Sequence, residues 1–112
     1  MKNNKPYDLE ERTYLFASYC RTFIKKLPKT FSNAEDSKQL IKSSGSIAAN
    51  YIEANENLGD RDLKIARKEA KESILWLKLL RDLNEEHKKE FEDLIEECIE
   101  LKNILSTIIN KS

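Results

Sequence analysis

The stretch Asp8-Leu9-Glu10-Glu11-Arg12-Thr13-Tyr14-Leu15-Phe16-Ala17-Ser18-Tyr19-Cys20-Arg21-Thr22-Phe23-Ile24-Lys25-Lys26-Leu27-Pro28 places Leu9, Thr13, Phe16, Cys20, Phe23 and Leu27 alternately four and three residues apart. That spacing lines one face of an α-helix. Pro28 closes the run, because its ring disfavours helical geometry in the preceding residue and removes a backbone donor. The rest of the chain repeats the pattern.

Ser32-Asn33-Ala34-Glu35 has the form of a capping box, in which the Ser hydroxyl and the Glu carboxylate satisfy backbone donors at a helix start. Behind it, Leu40, Ser44, Ile47, Tyr51, Ala54 and Leu58 form one stripe, with Ile41, Gly45, Ala48 and Ile52 on the stripe beside it. Gly59-Asp60 marks the next break, since Gly takes the left-handed conformation after a helix and Asp accepts hydrogen bonds at the start of another. A third helix carries Leu63, Ala66, Ala70, Ser73, Leu77 and Leu80, and Ile74, Leu75, Trp76, Leu79 and Leu83 make its second half apolar nearly all round. After the turn Asn84-Glu85-Glu86, a fourth carries Phe91, Leu94, Cys98, Leu101, Leu105 and Ile108. The expected helices span residues 8–27, 33–57, 61–83 and 87–110. Short connections between such helices favour antiparallel neighbours, so the expectation is all-α: an antiparallel up-and-down four-helix bundle, one domain over residues 1–112.

Composition agrees. Ala, Glu, Lys, Leu and Arg make up 55 of 112 residues, Gly and Pro contribute two each, and Val is absent. Such a chain is helical, and it is long enough for one small core, which excludes a two-domain enzyme. Twenty basic and twenty acidic residues cancel, so the overall basic surplus of many nucleic-acid binders is missing. By segment the net charge is +4 over residues 1–30, −3 over 31–60, +3 over 61–84 and −4 over 85–112. Alternating signs favour the correct helix neighbours over wrong ones. The other reading is that Arg21, Lys25 and Lys29 on the first helix, or Lys64, Arg67, Lys68 and Lys71 on the third, form a phosphate-binding ring when displayed by an oligomer.

Met1–Pro6 is followed by no apolar leader core, and Ile74–Leu80 is far shorter than the roughly 20 residues that cross a bilayer. A soluble, cytoplasmic protein with no membrane partner is expected. Cys20 and Cys98 are too far apart for a Cys-x-x-Cys motif and lie on apolar stripes, as buried thiols do.

No catalytic chemistry emerges. A di-metal bundle needs two Glu-x-x-His pairs, whereas His87 is the one histidine and is expected as a solvated or capping residue. Ser43-Ser44-Gly45-Ser46 lacks the G-x-S-x-G elbow, and two glycines cannot build a P-loop or a dinucleotide fingerprint. Glu96 and Glu97 sit on the acidic helix, where a solvated face is the default. The expectation is no enzyme, no cofactor, no metal and no small-molecule substrate.

Two polar sets stand out. Asn50, Glu53 and Asn57 line a face of the second helix, and Glu69, Glu72 and Trp76 repeat the spacing on the third. Asn50, Glu53, Glu69 and Glu72 are candidates for a polar network fixing register or oligomeric state, with a ligand site as the alternative. The surplus apolar surface, with Tyr51, Leu75, Trp76 and Leu79 as candidate contacts, points to self-association. Burial of Trp76 under the chain termini of a monomer is the alternative.

The stretch Gln39-Leu40-Ile41-Lys42-Ser43-Ser44-Gly45-Ser46-Ile47-Ala48-Ala49-Asn50-Tyr51-Ile52-Glu53-Ala54, followed by Arg67-Lys68-Glu69-Ala70-Lys71-Glu72-Ser73 and Trp76-Leu77, resembles the four-helix bundle family named for proteins encoded in 23S rRNA intervening sequences. Members often carry an aromatic residue before the tryptophan, where this chain has Leu75. The resemblance implies a bacterial, cytoplasmic, non-enzymatic homopentamer, with a relative that assists retroelement reverse transcriptases and binds nucleic acid. The expected function is therefore a homo-oligomeric scaffold or accessory factor that touches RNA or a nucleoprotein weakly through basic helix faces. The competing reading is a protein–protein interaction module with no nucleic-acid role.

Overall fold

The computed structural model describes residues 8–111, and within them the chain forms four α-helices: α1 (Leu9–Ile24), α2 (Phe31–Glu56), α3 (Arg61–Leu83) and α4 (Lys88–Lys111). A 3-10 turn, Glu85–His87, precedes α4. Met1–Pro6, read above for a leader, lies outside the described residues, as does the amino-terminal segment invoked as a cover for Trp76.

Each helix packs on its neighbours in sequence, and α4 returns to close on α1 through the thinnest of the four seams. Residue pairs show opposed directions. Asn33 meets Asn84 at one end of the α2/α3 seam, Ser43 meets Ser73 in the middle, and Asn57 meets Asp62 at the other end. Between α1 and α4, Arg12 meets Glu97 and Phe23 meets Phe91. The arrangement is the expected up-and-down bundle.

The core is built from the stripes described above. Phe16, Cys20, Leu40, Ile47, Leu77, Leu80, Phe91, Cys98, Leu101 and Leu105 are almost wholly removed from solvent. Each such Leu or Phe contributes about 1.5–3 kcal/mol by leaving water. At the far end of α4 the buried residue is Ile109, with Ile108 only partly covered, a shift of one position from the expected stripe. Both cysteines are free and buried, as expected. Burial pushes the Cys20 thiol up to about 12 and also raises that of Cys98, whose Sγ donates to the Ala70 carbonyl at 3.3 Å.

The ends of α1 and the start of α2 differ from the expectation for local reasons. α1 starts after Asp8, whose carboxylate accepts from the Glu10 amide at 3.0 Å, and ends at Ile24, so Lys25 caps it while Leu27 is buried from the connection. α2 begins at Phe31, two residues before the expected start at 33. Thr30, not Ser32, is the cap and accepts from the Asn33 amide at 3.1 Å. The Asn33 side chain then turns inward, donating to Asn84 Oδ1 at 3.0 Å and to the Pro28 carbonyl at 3.0 Å. Asn84 returns a bond to Asn33 Oδ1 at 2.9 Å and donates to the Leu80 carbonyl at 2.7 Å. This buried amide pair ties the start of α2 to the corner between α3 and α4.

Gly59 has φ +87°, the left-handed geometry expected of the residue that ends a helix. Asp60 makes no side-chain cap on α3 and instead lies 3.6 Å from Lys64. At the α3/α4 corner, His87 immediately precedes α4 and is partly buried. Its ring packs edge-on against Phe23, with centroids 5.6 Å apart, and lies 3.8 Å from Glu90.

Candidate nucleic-acid interface

The third-helix basic residues stand on one face because they recur at helical spacing. Lys64, Arg67, Lys68 and Lys71 line a single groove of about 340 Å³ along α3, with Glu72 and Leu75 at its end. Arg67 is partly held by α4, its NH1 donating to Ser106 Oγ at 3.4 Å. Lys64 and Lys68 make i,i+4 contacts with Asp60 and Glu72 at 3.6 and 4.0 Å, but all four heads are substantially solvated. Exposed pairs of this kind contribute at most about 0.5 kcal/mol, so an incoming phosphate competes with little.

The first-helix basic residues do not form a comparable face. Arg21 is committed to the α1/α2 seam: NH1 donates to the Ala17 carbonyl at 3.1 Å and to Ser44 Oγ at 3.3 Å, and NH2 donates to the Ile41 carbonyl at 3.0 Å. Lys25 and Lys29 are exposed but lie beyond the end of α1, Lys25 as its cap and Lys29 in the connection. The displayed set shrinks to α3.

The polar set is dispersed as well. Asn50 donates along its own helix to the Ser46 carbonyl at 2.8 Å and to Ser46 Oγ at 3.0 Å, and Glu53 is exposed. Glu69 is partly buried on α3. Its carboxyl is raised above the usual range chiefly by burial and then by Glu72, against the opposing pull of Lys68 and of Lys42 on α2. The α2/α3 polar bond that the spacing did not announce is Ser43 to Ser73, 2.7 Å between hydroxyl oxygens.

Of the apolar candidates, Leu75 and Leu79 are exposed, at 48% and 39%, whereas Tyr51 and Trp76 are half-buried against the core. Leu83 continues the exposed line at 61%. On the other side of α2, Ile41 and Ile52 also face solvent. The bundle therefore leaves uncovered the surplus expected from the second half of the third helix.

Two functional-looking contacts were not anticipated. Glu97, assigned to a solvated face, is buried and takes Arg12 in a two-pronged bond, Nε to Oε2 at 2.8 Å and NH2 to Oε1 at 3.0 Å, while Arg12 also reaches Glu100 at 2.6 Å. The guanidinium pKa rises through these carboxylates, Glu97 foremost. The other contact is Arg21 over Gly45. Neither pair has a sequence signal, since the partners are 85 and 24 positions apart with no motif between them.

Among the described residues no group of three or more His, Cys, Asp or Glu side chains is placed to hold a metal ion, and no helix is long and apolar enough to cross a membrane.

Comparison with curated proteins gives no match. Among solved structures, a protein of unknown function from the S23 ribosomal protein family of Bacteroides thetaiotaomicron is similar, with a TM-score of 0.77 and 27% identity over 91% of this chain and 98% of that one. The four-helix arrangement is thus shared along nearly the whole of both chains. The model of the 23S rRNA-intervening sequence protein family matches residues 7–107, which takes in the first three helices, most of α4 and the α3 groove, and the chain belongs to that family.

Proposed function

We propose that this chain is a non-enzymatic, homo-oligomeric bundle of the bacterial cytoplasm, a pentameric ring that serves as a scaffold or accessory factor and contacts RNA through the α3 groove. The observation that carries the reading is the convergence of Lys64, Arg67, Lys68 and Lys71 on one groove in a chain whose net charge is zero. One such groove neutralises few phosphates. Repeated around a ring, it offers enough positive charge for a salt-dependent grip. The association of the family and of its structural neighbour with ribosomal RNA or ribosomal protein, by name, supports RNA as the anion.

The second reading, a protein–protein interaction module, is favoured by a different observation, the exposed line Leu75, Leu79 and Leu83. Fluorescence anisotropy with a structured RNA at several salt concentrations, with mass determined in the same buffers, separates the two. RNA binding that weakens steeply with salt, and that is lost in the Arg67→Glu, Lys68→Glu, Lys71→Glu variant while the oligomer persists, supports the first. An intact oligomer that binds no RNA leaves the interaction module.

A further inference from the structure

Charge is segregated along α4, the helix to which Arg67 of the α3 groove bonds. Residues 85–100 hold eight acids and two lysines, whereas residues 101–112 hold two lysines and no acid. Because α3 and α4 run in opposite directions, the basic first half of α3 lies beside this acid-free last half of α4. The bond from Arg67 to Ser106 fixes the register, and the contact from Cys98 to Ala70 fixes it again toward the other end. Of the acids of α4, Glu97 and Glu100 turn to Arg12 of α1, Glu90 and Asp93 border a groove with Tyr19 of α1 and Lys26 of the connection after it, and Glu92 and Glu96, on the same stripe as Ser106, lie nearer the start of the helix, before its acid-free half.

In its last half, the flank of α4 that Ser106 marks carries neutral polar side chains, with Lys102 and the exposed Ile99 beside them. Asn103, Ser106 and Asn110 recur at spacings of three and four, so they share the flank that Ser106 presents to Arg67. Asn103 and Asn110 are exposed, and neither side-chain amide bonds another described residue. A row of cations on one helix thus runs beside a row of amides and a hydroxyl on the next. Phosphates need only the first row. Ribose needs the second as well, since its 2′-hydroxyl both donates and accepts, and A-form duplexes display these hydroxyls in a wide, shallow minor groove.

We propose that the α3/α4 face distinguishes RNA from DNA: Lys64, Arg67, Lys68 and Lys71 take the phosphates, and Asn103 and Asn110 take ribose 2′-hydroxyls of an A-form duplex. This rests on the RNA-binding reading above and adds the class of RNA and the residues that select it. Amide side chains suit the task because they offer a donor and an acceptor without adding charge. The discrimination therefore persists at salt concentrations that weaken the phosphate contacts.

The test compares an RNA hairpin duplex with the DNA hairpin of the same sequence, in one buffer, using the wild-type protein and an Asn103→Ala, Asn110→Ala variant. Both positions are exposed and helical, where Ala is the better helix former, so the variant keeps its fold, which circular dichroism checks. The wild type is expected to favour RNA by about fivefold or more, the scale of one net hydrogen bond. The variant is expected to lose that preference with its DNA affinity unchanged. Equal wild-type affinity for both duplexes, or an RNA preference that survives in the variant, overturns the assignment while leaving the RNA-binding reading standing. Binding of neither duplex removes that reading and this one together.

Discussion

Arg21 of α1 lies against Gly45 of α2 so closely that a Cβ on Gly45 would sit 2.9 Å from the Arg21 NH2 nitrogen. The helix carries a glycine at its centre, where glycine is unfavourable by about 1 kcal/mol relative to Ala, because the guanidinium occupies the space. From there Arg21 bonds carbonyls on both helices. This pair gives the Ser43-Ser44-Gly45-Ser46 stretch a packing role: Gly45 admits the arginine, Ser44 accepts from it, and Ser43 faces α3.

Gly45→Ala is expected to yield none of its usual helix gain, because the displaced guanidinium gives up its bonds to Ile41 and Ser44. In an Arg21→Ala background the same substitution is expected to stabilise by about 1 kcal/mol. Urea denaturation of the four proteins in the cycle measures the coupling. Equal effects in the two backgrounds would mean that Arg21 does not require the glycine.

The Arg12–Glu97 pair crosses the thinnest seam of the bundle and is nearly removed from solvent, with side-chain exposures of 12% and 6%. Arg12→Ala removes the two-pronged bond to a buried carboxylate and is expected to cost about 3 kcal/mol, with Glu97→Ala similar. Arg12→Met with Glu97→Met removes both charges and is expected to cost less than either single change. Chemical denaturation decides. A double variant as unstable as the sum of the singles would show that each side chain acts through contacts other than the pair.

How far the residues revealed all this depends on the range of the interaction. Helix number, inner stripes and the Gly59 break follow from local periodicity and backbone preference, which nearby residues settle. The groove of Lys64, Arg67, Lys68 and Lys71 was legible for the same reason, as a single helix face. Asn33 with Asn84, Ser43 with Ser73 and Arg12 with Glu97 were not, because each joins two helices and depends on rotation about both axes. Of the expected network of Asn50, Glu53, Glu69 and Glu72, Asn50 finds its acceptors in Ser46, one turn away on its own helix, rather than on α3. Thr30 displaced Ser32 as the cap because the inward pairing of Asn33 with Asn84 fixes where α2 starts.

Glu69 gives the bundle a pH dependence of definite sign. Its folded carboxyl pKa lies above the ordinary value of 4.5, so between that value and the raised one the folded state holds more protons than the unfolded state. Stability from this group is present below pH 4.5 and is lost as pH rises through the raised value. Glu69→Gln is expected to remove that decline, flattening stability across the lower part of the carboxylate range relative to wild type. Denaturation midpoints at matched pH values provide the measurement, and parallel pH profiles for the two proteins would exclude a desolvated Glu69.

The exposed line Leu75, Leu79 and Leu83 makes the oligomer testable without endangering the fold. Leu75 and Leu79 lie outside the monomer's buried core, so Leu75→Glu with Leu79→Glu is expected to leave helicity and the cooperative unfolding of the single chain intact. The same change places two charges in an interface that would have to desolvate them, which costs several kcal/mol per unpaired ion after relaxation. Sedimentation at micromolar concentration is therefore expected to give one chain for the variant and several for the wild type. Trp76→Ala provides the contrast. Because Trp76 is half-buried against the core, its truncation is expected to lower stability and weaken assembly together. A wild type that sediments as one chain would overturn the ring, and an assembled Leu75→Glu, Leu79→Glu variant would move the interface elsewhere, with the exposed Ile41 and Ile52 on α2 as the next surface to charge.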